Sequence, residues 1–225
     1  MSAGTLSRAR FLIRDASRTI FAAVAVIVCG CYATYAVTDG LQAFSLESAR
    51  RLSALRSPAP VPSPTLEFSD GRHAPFRAQR EQVLLVDFIY TRCTTYCRSL
   101  GSVYAQLQSR LAAQIASDDV RLVSITFDPD HDRAVELTSY RHRHGGAAPG
   151  WDLARPLASV DREQLLRAFG VVVIDDGLGG YTHNAAVHIV DPHGRLAAIV
   201  DADDVDGAVR FTERLLDGEV RPAAL

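Results

Sequence analysis

Residues 83–90 read Val-Leu-Leu-Val-Asp-Phe-Ile-Tyr and are apolar at every position except Asp87. No alternation separates a wet face from a dry one, so a strand built from this run has to be covered on both faces. Helices on both sides of a sheet give that cover, which narrows the fold to the α/β class. Directly after the run come Thr91, Arg92 and Cys93, and Cys97 follows four residues later. Thiols between a strand and a helix meet orphan backbone N–H groups and the positive end of the helix dipole, and both favour thiolate. Thiolates exchange disulfides and also bind soft metals, so the pair alone leaves both chemistries open.

Composition removes several classes. The chain has 225 residues and a net charge of −2. It has no basic stripe with interleaved aromatics, so no nucleic-acid partner is expected. Its four cysteines form two close pairs, Cys29/Cys31 and Cys93/Cys97, too few for a disulfide-stapled scaffold. The single Met is the initiator, which excludes a methionine-rich copper site.

The N-terminal end reads as an address. Arg8, Arg10, Arg14 and Arg18 are offset only by Asp15, and residues 19–38 carry no charge. Twenty such residues in a helix span about 30 Å, the thickness of a bilayer's hydrocarbon core. The arginines predict a cytoplasmic segment at 1–18 and a transmembrane signal-anchor at 19–38. The remaining chain is then expected in the periplasm, held to the inner membrane by a single pass. The run exceeds the usual signal-peptide core, which favours an anchor over a cleaved signal. Cys29-Gly-Cys31 weakly resembles a lipoprotein cleavage box; the alternative is that both cysteines are small apolar residues within the helix.

Residues 39–64 are read as a juxtamembrane segment and linker. Leu41, Phe44, Leu46, Leu52 and Leu55 predict a helix over 39–57. Alternating prolines at 58, 60, 62 and 64 predict a semi-rigid polyproline spacer.

Residues 65–225 are read as the outer domain. A strand at 66–68 runs into an Asp70-Gly71 turn. The 83–90 strand is followed by a helix over 97–116, with Leu100, Tyr104, Leu107, Leu111 and Ile115 at helical spacing. A second strand at 120–127 ends at Asp128-Pro129. Helices are expected over 132–144 and 161–169. Strands at 185–190 and 196–200 flank Asp191-Pro-His-Gly194 as a hairpin. Val205, Ala208, Thr212 and Leu215 mark a final amphipathic helix. This order predicts a thioredoxin-like fold, a mixed central sheet flanked by helices, behind one N-terminal transmembrane helix.

Four segments together resemble the Sco/SenC family: Tyr90-Thr-Arg-Cys-Thr-Thr-Tyr-Cys97, Asp128-Pro-Asp-His-Asp132, Tyr181-Thr-His183 and Val190-Asp-Pro-His-Gly194. The resemblance spans roughly residues 65–217. It implies a membrane-anchored thioredoxin-fold protein that delivers copper to cytochrome c oxidase. It also implies that Cys93, Cys97 and a distant histidine, here His183, bind one copper ion per chain, as Cu(I) or Cu(II). The chemistry agrees: cysteines at i and i+4 share one side of a helical turn, and an added imidazole suits both copper oxidation states. Two positions depart from the family pattern, Thr94 where proline is frequent and Thr182 where aspartate is frequent. A structural zinc site would want four protein ligands, with His188 or Asp128 as the fourth.

Asp87 resembles the acidic residue that thioredoxins hold below their active-site thiols, and is read as a candidate proton acceptor for thiol exchange. The other reading is a carboxyl satisfied by nearby hydroxyls or by Lys-like cations at the sheet edge. The family match places Asp128 near the metal, while Asp132 reads as a helix N-cap. His73, His188 and His193 read as turn or strand residues and Trp151 as core. Residues 141–144, Arg-His-Arg-His, read as a solvated helix end.

The leading expectation is a copper chaperone that helps assemble the dinuclear copper centre of a respiratory oxidase. Its partners would be the oxidase subunit carrying that centre, another copper chaperone or thiol reductase, and the membrane through the N-terminal helix. The alternative is a thiol–disulfide oxidoreductase that keeps the target's copper-ligand cysteines reduced, and a redox or copper sensor ranks below both. Whether the chain is an enzyme is left open.

Overall fold

The computed structural model describes residues 3–77, 81–93, 96–144 and 149–219, with the side chains of 3–18 and 96–99 outside the described set. The chain divides into two compact units, Met1–Leu52 and Ser53–Leu225.

The first unit is dominated by helix α1, Ala3–Val37. Its stretch Thr19–Val37 is long and apolar enough to cross a membrane, with a mean hydropathy of 2.2. The expected helix over 39–57 begins later. Asp39, Gly40 and Leu41 all adopt positive φ, which an α-helix cannot continue through. Helix α2 then spans Leu46–Arg56, with the Ser45 hydroxyl accepting from the Ser48 N–H at 3.1 Å.

The second unit is built on an eight-stranded mixed sheet. In chain order its elements are β1 (Ala59–Pro60), β2 (Thr65–Phe68), β3 (His73–Pro75), β4 (Val83–Ile89), α3 (Tyr96–Arg110), α4 (Ala112–Ala116), β5 (Val120–Thr126), α5 (Ala134–Arg143), β6 (Trp151–Pro156), α6 (Ser159–Phe169), β7 (Val173–Asp175), β8 (Tyr181–His183), β9 (Ala186–Val190), β10 (Arg195–Asp201) and α7 (Val205–Leu216). The strand order is β1-β10-β9-β4-β5-β6-β2-β3, and β7 pairs with β8 as a separate ribbon. Strands β4, β5 and β6 run parallel, while β9, β10, β1, β2 and β3 join antiparallel. This is the thioredoxin-like α/β arrangement.

The sequence pattern accounts for the centre of this sheet. All seven residues of β4 are buried, as its unbroken apolarity requires. The face of α7 carrying Ala208, Val209, Thr212 and Leu215 is buried, the 3–4 spacing of an amphipathic helix. The Asp70-Gly71 turn joins β2 to β3. The 191–194 turn joins β9 to β10, with Gly194 at φ 77° and its N–H bonded to Asp191 O at 2.8 Å.

The structure adds elements that the sequence pattern does not announce. The helix expected over 97–116 is two helices, α3 and α4, joined at Leu111. Strand β6 carries Asp152 and Arg155, whose charges obscure it in sequence. Each is matched across the sheet, Asp152 by Arg121 at 2.5 Å and Arg155 by Glu67 at 2.5 Å. Trp151 opens this strand, fully buried as expected, and donates its indole N–H to Ser124 Oγ at 2.9 Å. Part of the proline-rich segment is itself sheet: Ala59 and Pro60 pair with Leu196 and Arg195, and Val61 donates to Gly194 O at 3.0 Å.

Candidate metal centre

The parallel strands β4 and β5 are in register, Ile89 beside Thr126, so the residues that follow them emerge together at the carboxyl edge. In open α/β sheets that edge is where ligands bind. After β4 come Tyr90, Thr91, Arg92 and Cys93, and after β5 come Phe127 and Asp128. The β7–β8 ribbon brings His183 to the same place, paired opposite Val173.

Cys93 and His183 line one cleft of about 840 Å³, together with Tyr90, Arg92 and Tyr181. Cys93 is half-buried and follows a turn in which its N–H donates to Tyr90 O at 3.3 Å. The His183 ring packs against Phe127, with centroids 5.0 Å apart, and against Tyr90 at 6.5 Å. Burial in this aromatic setting pushes the imidazole pKa below its ordinary 6.5, partly opposed by a backbone contact with Asn184. His183 is therefore neutral at pH 7, the form that can give a nitrogen lone pair to a metal.

Two devices hold the ribbon that carries His183. The Tyr90 hydroxyl donates to Tyr181 O and accepts from Tyr181 N–H, each at 3.3 Å. At the tip, Asp176 Oδ1 accepts from the N–H groups of Leu178 and Gly180, at 2.8 and 2.9 Å. Asp175 Oδ1 accepts from Gly177 N–H at 2.6 Å, and Gly177 and Gly179 take positive φ there. The tip is thus a built turn, and its apolar residue Leu178 is 92% exposed.

Cys97 lies in the first turn of α3, and its side chain is outside the described residues, as is all of Thr94. Among the described residues no three His, Cys, Asp or Glu side chains form a metal cluster by themselves. The described portion of the expected set, Cys93 and His183, offers the donors that copper prefers: a soft sulfur and a neutral imidazole lining one cleft.

The remaining candidates separate clearly. Asp87 lies in the middle of β4, 1% exposed and opposite Ser124. Burial raises its pKa from 3.8 to about 8, against the lowering influence of the Ser124 and Tyr104 hydroxyls. Neither hydroxyl reaches normal hydrogen-bond geometry, so both carboxyl oxygens are without such a partner among the described residues. Asp87 does not line the cleft.

Asp128 is buried and held by Arg92 at 2.7 Å and by the His131 ring at 2.9 Å. It reaches the cleft through Arg92, the neighbour of Cys93. Asp132 is not the N-cap of α5. That helix starts at Ala134, and Glu136 accepts from the Arg133 N–H at 3.1 Å. Asp132 instead takes bonds from Thr91 and Thr126, facing the cysteine segment. His188 is a core residue between Phe88 and Phe169, near Val86 O at 3.2 Å, so like Asp128 it lines no part of the cleft and supplies no fourth zinc ligand. His73 and His193 are exposed, as expected of turn or edge residues.

Residues 65–214 match the SCO1/SenC family. The chain belongs to that family. A SCO1 protein homolog of Bacillus subtilis (strain 168) is 26% identical over 134 residues, covering 59% of this chain and 68% of the relative. The solved structure of BsSco, described as a member of the Sco family of cytochrome c oxidase assembly proteins with a disulfide switch, superposes with a TM-score of 0.62. It is 22% identical, over 71% of this chain and 96% of BsSco. Copper-bound ScoI of Arabidopsis thaliana gives a TM-score of 0.59 and 17% identity, over 69% of this chain and 99% of that one. These structural likenesses carry the SCO1/SenC fold, while the site residues of this member rest on its own geometry.

The aromatic rings around His183 are those of Tyr90 and Phe127, and sequence reasoning gave neither ring a role at the site. Their signal was present: Tyr90 and Phe127 are the first residues beyond two neighbouring parallel strands, where a binding edge is expected.

Proposed function

We propose that this SCO1/SenC member is a membrane-anchored copper chaperone that loads or prepares the dinuclear copper centre of a respiratory oxidase. The observation that carries the reading is the opening of Cys93 and His183 onto one cleft at the carboxyl edge of the central strands. One copper ion per chain, the cargo, is held by the thiolates of Cys93 and Cys97 and a ring nitrogen of His183. The copper-bound relative and the oxidase-assembly description of BsSco support the choice of metal and target.

The residues divide the work. Cys93 lines the cleft, where a partner's thiolate or imidazole can approach and replace ligands one at a time. His183 is held neutral and oriented by its aromatic neighbours, so it binds without first losing a proton. The Thr19–Val37 helix supports anchoring in the inner membrane, with the arginine-rich end in the cytoplasm and the cleft in the periplasm. The partner is then the copper-centre subunit of the oxidase, approached within the membrane plane.

A second reading has its own observation. Asp87 is a buried carboxyl with a pKa near 8, suited to taking a proton during thiol exchange. On that reading Cys93 and Cys97 reduce a disulfide in the target's copper-ligand pair, and His183 is dispensable. Copper stoichiometry and oxidase assembly separate the two. Chaperoning predicts one copper per chain, lost with Cys93→Ser or Cys97→Ser, and failed assembly with His183→Ala. Full copper binding by Cys93→Ser would end the chaperone reading, whereas normal assembly with His183→Ala would favour the reductase.

A further inference from the structure

Successive residues at the end of β4 are gripped by different parts of the molecule. Tyr90 fixes the Tyr181 backbone, two residues from His183. Thr91, two residues from Cys93, is gripped by Asp132. The Thr91 N–H donates to Asp132 Oδ2 at 3.0 Å, and its hydroxyl donates to Oδ1 at 2.5 Å. Asp132 Oδ2 also accepts from the hydroxyl of Thr126, the last residue of β5, at 2.5 Å. The Asp132 backbone N–H donates to Asp128 O at 2.9 Å, and Thr126 Oγ1 accepts from Asp128 N–H at 3.0 Å.

Asp132 is completely buried. A buried carboxyl is costly and persists where several donors converge on it. Helix capping does not explain its presence, because α5 starts two residues later with Glu136 serving the Arg133 N–H. Its three side-chain bonds lead to one place, the junction between the ends of β4 and β5, from which the Cys93 segment departs.

We propose that Asp132 is a positioning residue for the copper site. It ties the Cys93 segment to the end of β5 while Tyr90 ties down the His183 strand, so the fold sets the spacing of the two ligands before the ion arrives. The proposal deepens, and rests on, the reading of Cys93 and His183 as copper ligands. Partners of this kind hold ligands in place and typically govern metal affinity ten- to a hundredfold.

The test uses the full chain in detergent with its thiols reduced, comparing wild type, Asp132→Ala, Asp132→Asn and Leu137→Ala. Leu137, fully buried on α5, supplies a destabilised control away from the ligands. Two quantities are read: Cu(I) affinity by competition with a chromophoric chelator, and the alkylation rate of Cys93 located by mass spectrometry. Asp132→Ala is expected to weaken Cu(I) binding roughly ten- to a hundredfold. It is also expected to speed Cys93 alkylation by about tenfold or more, the scale of one lost charge-assisted hydrogen bond. Asp132→Asn keeps an acceptor for the Thr91 N–H, and threonine hydroxyls can turn to accept, so its affinity stays within about threefold. Leu137→Ala keeps wild-type affinity and alkylation.

Wild-type values for Asp132→Ala, or equal losses in Asp132→Ala and Leu137→Ala, would overturn the proposal. If Asp132→Ala does not fold, Thr91→Val and Thr126→Val each remove one arm and are read in the same way. A wild type that binds no copper defeats the reading of the site, and the alkylation comparison still decides the brace.

Discussion

Replacing Asp87 by Asn removes a titration that the fold imposes on a carboxyl buried in the middle of β4. Its pKa rises from 3.8 to about 8 because burial penalises the charged form. A raised acid pKa means that the folded chain keeps its proton where the unfolded chain has lost it. Asp87's contribution is therefore intact below pH 3.8, is lost as pH rises toward 8, and changes no further above 8. Within that window the loss is about 1.4 kcal/mol per pH unit, or about 3 kcal/mol between pH 5 and pH 7. The amide of the variant cannot ionise, and every other group titrates alike in both proteins. Urea unfolding of wild type and Asp87→Asn at pH 5, 6, 7 and 8 isolates the term by difference. The variant is expected to gain on wild type by about 1.4 kcal/mol for each pH unit through pH 7. Parallel stability curves would refute the reasoning, because they would place the Asp87 pKa at an ordinary value and its carboxyl in contact with water.

Three further outcomes follow from the same geometry. Tyr90→Phe removes both bonds to the Tyr181 backbone and is expected to weaken copper binding by roughly tenfold while leaving the fold intact, read by chelator competition and circular dichroism. Because burial lowers the His183 pKa below its ordinary 6.5, the imidazole is expected to cost no copper affinity between pH 8 and pH 7. A His183-dependent loss between pH 8 and 7, seen by titrating wild type against His183→Ala, would contradict that. Deleting residues 1–38 is expected to release the protein from membranes into the soluble fraction, and a deletion product still sedimenting with membranes would argue against the anchor.

The sequence makes the centre of this molecule legible and its edges much less so. Unbroken apolarity announced β4, and period-four spacing announced α3 and α7, because burial dictates both patterns. Strand β6 escaped notice because Asp152 and Arg155 are neutralised by Arg121 and Glu67, partners 31 and 88 residues away in the chain. The β7–β8 ribbon was hidden by its shortness and by turn residues that resemble a loop. Cys93 was marked by its place after the apolar strand and His183 by the family resemblance, and the fold brings them to one cleft. Asp132 was misread because aspartate before a helix usually caps it, whereas here the side chain turns back to Thr91. Only the three-dimensional arrangement shows which backbone its oxygens meet.

The most direct test of the central claim is a Cu(II) titration of the full-length reduced protein, followed by the absorbance of the Cu(II)–thiolate band, in wild type, Cys93→Ser and His183→Ala. The account predicts a band that saturates at one ion per chain in wild type, vanishes with Cys93→Ser, and shifts in energy with weaker binding in His183→Ala. An unchanged band and end point in His183→Ala would contradict it.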